Sequence, residues 1–75
     1  MDIGDNKERL AKLGLAIRDR RLACGLSQVD LALMIGSSKS HISSIENGRV
    51  NLKMETVFRL ADALDSQEVR DLILF

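Results

Sequence analysis

The sequence predicts an all-α fold, a compact bundle of five short helices. Three observations lead there. Apolar residues recur at three- and four-residue spacing along the chain, the period of an amphipathic helix. No segment carries the strict apolar–polar alternation of a half-buried strand. Proline is absent, the only aromatics are Phe58 and Phe75, and Leu, Ile and Ala are plentiful, a composition that suits helices packed on helices. No linker, repeat or low-complexity stretch divides the 75 residues, so 1–75 reads as a single domain.

The first helix is expected from about Asn6 to Cys24. Asp5 and Glu8 have capping-box spacing at its start, and Gly25 suits its C-terminal cap. Leu10, Leu13, Ile17 and Cys24 share roughly one face, which places Cys24 in the core as a small apolar residue. The second helix follows Ser27, with Asp30 at the partner position of a capping box. Its residues Leu31, Ala32 and Ile35 point inward, and Gly36 ends it. A third helix starts after Ser38 and ends at Gly48. A fourth covers about Lys53 to Leu64, with Met54, Val57, Leu60, Ala61 and Leu64 inward. Asp65 and Glu68 offer a cap for a last helix over about 66–74.

Composition narrows the function. Cys24 is the only cysteine and His41 the only histidine, so neither a closed zinc set nor an internal disulfide can form, and no metal or cofactor is expected. A lone cysteine also fits a reducing cytoplasm. No apolar run reaches membrane-spanning length and the N-terminus lacks a signal-peptide pattern, so a soluble cytoplasmic protein is expected, without a membrane partner. A domain this small buries a modest core, which leaves a partner subunit as the available source of extra stability. The charges sum to zero, 11 basic against 11 acidic, which is unusual for a nucleic-acid binder. Residues 1–50 hold eight basic and six acidic side chains; residues 51–75 hold three and five. Either the acidic end faces away from nucleic acid or the charges are a solvated surface without pattern. No serine, histidine and acid arrangement can be defended as a nucleophilic site, so no catalytic residue is assigned and enzyme activity is not expected.

The second and third helices, joined by a tight turn, form a helix-turn-helix. At about 100° per residue, Ile42 and Ile45 face the core, with Ser40, Ser44 and Asn47 opposite them and Ser43 on the flank. Lys39 stands in the first turn. A helix entering the major groove meets base edges with its N-terminal residues, which puts Lys39 and Ser40 deepest and Ser44 one turn later. Lys can donate to guanine O6 and N7, and a Ser hydroxyl can donate or accept. The plainer reading is a solvated helix surface. Against it, five serines among residues 37–44 carry a helix-propensity cost that a binding surface would explain. The start of the second helix with Gln28, and the turn Asn47-Gly48-Arg49 with exposed amides and a cation, would hold phosphates. Ser38 and His41 would flank them; His41 reads as a phosphate or base contact or as solvent-exposed, not as a metal ligand.

These residues resemble the Cro/repressor (XRE-type) helix-turn-helix family. The resemblance runs from about Leu13 to Leu64 and rests on Leu13-Gly14, Ile17-Arg18, Arg21, Gly25-Leu26-Ser27-Gln28, Leu31-Ala32, Gly36, Ser38, Ile42-Ser43, Ile45-Glu46, Gly48, Glu55-Thr56 and Leu60-Ala61-Ala63-Leu64. It implies a lambda-repressor-like bundle that binds operator DNA as a two-fold dimer. It also implies base contacts at Lys39, Ser40 and Ser44, backbone contacts at Asn47 to Arg49, and at Gln28 either a phosphate contact or support for a base-contacting residue. Arg21 and Glu46 become a partly buried structural ion pair. Several positions depart from the pattern. Ser37 stands where an apolar turn residue is usual. Val29, Leu33 and Met34 replace charged residues; Val29 and Leu33, which share a face, either pack under the N-terminal segment, the preferred reading, or contact a partner. Asn51-Leu52 resembles controller proteins of restriction-modification systems.

The end of the chain carries Val69, Leu72 and Ile73 as one stripe, then Leu74 and Phe75. Leu72, Leu74 and Phe75 are expected at a homodimer interface; the alternative is packing against the first helix. The function expected is a sequence-specific transcriptional regulator on a palindromic double-stranded DNA site, with RNA polymerase as a possible second partner and no small-molecule effector. The alternative is a protein-interaction module, an antitoxin or adaptor on the same scaffold.

Overall fold

The computed structural model describes residues 3–64 as four helices: α1 (Ile3–Ala23), α2 (Gln28–Ile35), α3 (Lys39–Glu46) and α4 (Met54–Leu64). The helix expected over 66–74, with Leu72, Leu74 and Phe75, lies outside the described residues. All four elements are α-helical, as the periodicity predicts. α3 packs on α1 and α2, and α4 closes the bundle against α1 and α2.

Ile17, Leu31, Ala32, Ile35, Ile42, Ile45, Leu60 and Leu64 form the core, with Leu13, Leu26, Val50, Leu52 and Ala63 packed around it. One buried face from each helix meets the others there, which is how short helices that are marginal alone become stable together.

The helix ends are chemically explicit. Ser27 is in extended backbone; its hydroxyl accepts from the Asp30 amide at 2.9 Å, and the Asp30 carboxylate accepts from the Ser27 amide at 2.9 Å. Asp can therefore serve in the position usually held by Glu. At the other ends, the Leu26 amide donates to the Arg21 carbonyl and the Ser37 amide to the Ala32 carbonyl, the long bond of a Schellman turn in each case. Arg20 Nε donates to the Leu64 carbonyl at 3.2 Å, so a cation on α1 satisfies the C-terminal end of α4. On the exposed face of α4, Glu55 and Arg59 pair one turn apart, a contact of about 0.3–0.5 kcal/mol.

The α2 cap yields a first prediction. Ser27→Ala should lower the unfolding free energy by about 1 kcal/mol, read as a lower urea midpoint. The Ser27 amide and hydroxyl hold the Asp30 carboxyl below its ordinary pKa. A carboxyl lowered in the folded state stabilises above its unfolded pKa, about 3.9, and loses that contribution as pH falls through the lowered folded value. The midpoint gap between the wild type and Asp30→Ala should be constant above about pH 4 and close on further acidification.

Four sequence expectations need correction. α1 begins at Ile3, so Asp5 lies inside the helix and does not cap it. Cys24 is exposed, because α1 stops at Ala23 and the Gly25 turn carries the chain away from the core face. Met54 is 51% exposed, because the helix starts there, at the edge of the core. Val29 and Leu33 are 47% and 75% exposed, so they do not pack under the N-terminal segment; Met34 beside them is 54% exposed.

Candidate nucleic-acid interface

Ser38, in extended backbone, caps α3: its hydroxyl accepts from the His41 amide at 3.1 Å. The cap fixes where the helix begins and so which residues share its outer face. Ile42 and Ile45 are fully buried, at 0% and 2% exposure. Lys39, Ser40 and Asn47 are exposed, and Ser43 and Ser44 half-buried. The result is a narrow ridge of short polar side chains with one lysine at its leading end. His41 is half-buried, with Nδ1 2.6 Å from the Ser37 hydroxyl. The polar residue in the turn thus ties down the imidazole of the following helix.

The C-terminal end of α3 is locked from two sides. Arg21 Nε and Nη2 donate to the two Glu46 carboxylate oxygens at 2.6 and 3.1 Å, and Nη1 donates to the Leu26 carbonyl at 2.8 Å. Both side chains are nearly inaccessible, at 8% and 4% exposure. The bond to Glu46 raises the Arg21 pKa, against the opposing effect of burial. Gln28 Nε2 also donates to Glu46 at 3.1 Å, joining the start of α2 to the end of α3. A primary amide has two N–H donors, so one remains for another acceptor.

Gly14 and Gly48 seat α1 against this end. A Cβ at Gly14 would lie 2.5 Å from the carbonyl oxygens of Ile45 and Glu46. Gly48 has φ +68°, and a Cβ there would meet the Ala11 backbone at 2.9 Å. The left-handed turn at Gly48 also consumes amides. Those of Asn47, Gly48 and Arg49 donate to Ser43, Ile45 and Ser44. The expectation of exposed amides in this turn is therefore corrected: what it offers a ligand is the side chains of Asn47 and Arg49. At the start of α2, the Asp30 carboxylate occupies the Ser27 amide and sets a negative charge beside Gln28, which weakens the pull of that helix end on an anion.

Two concavities meet at Asn47. The smaller, about 170 Å³, lies among Leu15, Arg18, Arg21, Gln28, Glu46 and Asn47. The wider, about 610 Å³, runs between Lys7, Leu10 and Ala11 of α1 and the segment from Asn47 to Asn51. Lys7, Arg18 and Asn51 had no place in the sequence-based site. Their neighbours lie up to about forty positions away, beyond the reach of any spacing rule. Among the described residues no group of three or more metal-ligating side chains comes together, and no helix is long and apolar enough to cross a membrane.

Comparison with known proteins agrees with this geometry. The helix-turn-helix family model matches residues 17–69, more than half of the chain. The crystal structure of the restriction-modification controller protein C.AhdI from Aeromonas hydrophila is similar, with a TM-score of 0.81 and 36% identity, over 92% of this chain and 99% of that one. The ImmF control region 10 kDa protein of Bacillus phage phi105 is 40% identical over 50 residues, 67% of this chain; the match spans 56% of the phage protein's length. An uncharacterized HTH-type transcriptional regulator of Methanothermobacter thermautotrophicus is 31% identical over 58 residues, 77% of this chain and 84% of that protein. Buried isoleucines under a polar ridge, a capped tight turn and these relatives agree: the chain belongs to the XRE-type helix-turn-helix family of DNA-binding transcriptional regulators, which are not enzymes.

Proposed function

We propose that the chain binds a palindromic operator as a homodimer, with α3 of each subunit in the major groove and half-sites about one helical turn (~34 Å) apart. The observation that carries this reading is the exposed Lys39–Ser40 ridge over fully buried Ile42 and Ile45. Lys39 donates to guanine O6 and N7, Ser40 and Ser44 meet the next base edges, and Ser43 contacts from the flank. Gln28, Ser38, His41, Asn47 and Arg49 hold the backbone and set register, and Gly48 lets it approach. Leu72, Leu74 and Phe75 join the subunits. The protein acts in the cytoplasm, without cofactor or small-molecule effector, and regulates by occluding a promoter or touching RNA polymerase. Likeness to C.AhdI along almost the whole chain, together with Asn51-Leu52, favours a controller of a restriction-modification operon.

The test is selection of bound sequences from a random duplex pool. An inverted repeat with half-sites one turn apart is the expected product; recovery of no preferred sequence would end this reading. Against the recovered site, Lys39→Ala should weaken binding by about 1–3 kcal/mol and relax preference at one base pair per half-site. Equal weakening on every sequence would demote Lys39 to a phosphate contact. A second reading, an antitoxin or adaptor, has one observation in its favour: the exposed Val29, Leu33 and Met34 on α2.

A further inference from the structure

Lys7, Ala11, Gly14 and Arg18 follow one another at intervals of four, three and four residues, so they form one stripe along α1. The two small residues in its middle are the ones pressed against the end of α3: Gly14 on the Ile45 and Glu46 carbonyls, and Ala11 on Gly48. The two cations at its ends therefore emerge on either side of Asn47, one in each concavity. Lys7 shares the wider groove with Arg49, and among the described residues no acidic side chain lines it. Arg18 shares the smaller one with Gln28. Among the described residues the one carboxylate there, Glu46, already accepts from Arg21 and Gln28, so Arg18 adds a positive charge beyond that pairing. Lys7 and Arg18 stand roughly 16 Å apart along the helix. That spans several phosphates of one strand, which advance about 3.4 Å each along the duplex axis.

We propose that α1 is a second grip on the DNA backbone, in which Lys7 with Arg49 and Arg18 with Gln28 hold different phosphates on the two sides of Asn47. The proposal rests on the DNA-binding reading above and extends it to a helix outside the helix-turn-helix. In a chain of zero net charge, affinity depends on where the few cations stand, and this arrangement places two of them beside the end of the recognition helix.

The experiment is a salt titration of binding to two duplexes, one of random sequence and one recovered by selection. It compares the wild type with Lys7→Gln, Arg18→Gln, the double variant and Lys12→Gln. Lys12 is an exposed α1 lysine that lines neither concavity. Each of the first two substitutions should reduce the magnitude of the slope of log K against log salt by about 0.9 per bound subunit, about 1.8 for the homodimer, and the double variant by about 3.6, with sequence preference unchanged. Lys12→Gln should leave the slope within error of the wild type. All three sites are exposed, and matching thermal melts will show that folding is retained. Unchanged slopes for Lys7→Gln and Arg18→Gln, or an equal loss for Lys12→Gln, overturn the proposal while leaving DNA binding intact. A wild-type protein that binds neither duplex takes both readings down.

Discussion

Glu46→Ala is expected to lower the unfolding free energy by about 3–5 kcal/mol, because it leaves a buried guanidinium without its counter-charge. Arg21 would keep only its bond to the Leu26 carbonyl, and Gln28 would lose its partner on α3. A domain of this length has about 4–11 kcal/mol of total stability, so the loss is a large part of it. Urea denaturation monitored by circular dichroism is the measurement, with the midpoint falling and the slope of the transition unchanged. Arg21→Ala should cost a similar amount, since it strands the carboxylate instead. The double variant Arg21→Met/Glu46→Leu separates charge pairing from packing: replacing both ions with apolar groups of similar volume is often neutral or better. It should recover most of the lost stability. If each single substitution costs under 1 kcal/mol, the pair is more hydrated than its geometry implies.

The same double variant bears on function. The Arg21–Glu46–Gln28 cluster links α1, the start of α2 and the end of α3, so it sets the angle at which the polar ridge stands on the bundle. A refolded but apolar cluster no longer fixes Gln28. Stability and DNA affinity should therefore part company in that variant, the first recovering and the second not.

The four described helices and the dry side of α3 were legible because they rest on local rules. Ser27 and Ser38 announce helix starts, and the spacing of Ile42 and Ile45 assigns one face to the core. The misses share a different cause. Periodicity extrapolated past a helix end put Cys24 in the core, but the chain had already turned at Gly25. Met54 failed at the opposite end for the same reason. Val29, Leu33 and Met34 show the limit of hydrophobicity as a guide to burial: a strongly apolar short helix has more greasy surface than an eight-residue contact can cover. The turn amides at 47–49 looked available because Asn-Gly-Arg is a polar turn sequence, whereas the backbone bonds that occupy them exist only once the helix ends in a left-handed residue. The two concavities depend on α1 meeting the end of α3, a pairing no single stretch of sequence encodes.

Gly14 sets that pairing, and substitution there pits two effects of opposite sign. In an exposed helix interior, Gly→Ala stabilises by about 1 kcal/mol. Here the added carbon would sit 2.5 Å from two backbone carbonyl oxygens and 2.8 Å from the Glu46 carbonyl carbon. Those atoms cannot rotate away as a side chain would. They belong to the last turn of α3, held by the Schellman bonds at Gly48 and Arg49 and, through the Glu46 side chain, by Arg21. Relief requires α1 to move off the end of α3, opening the contacts around Ile17 and Ala11. Overpacking of this kind costs about 1–3 kcal/mol, so Gly14→Ala should be destabilising despite its better helix propensity. Gly14→Val, larger and β-branched, should cost about 3 kcal/mol. The displacement also carries Lys7 and Arg18 away from Asn47, so DNA affinity should fall under conditions where the Gly14→Ala protein is fully folded. A higher urea midpoint for Gly14→Ala than for the wild type would mean that propensity outweighs the steric overlap, and that α1 is not held at this distance by the end of α3.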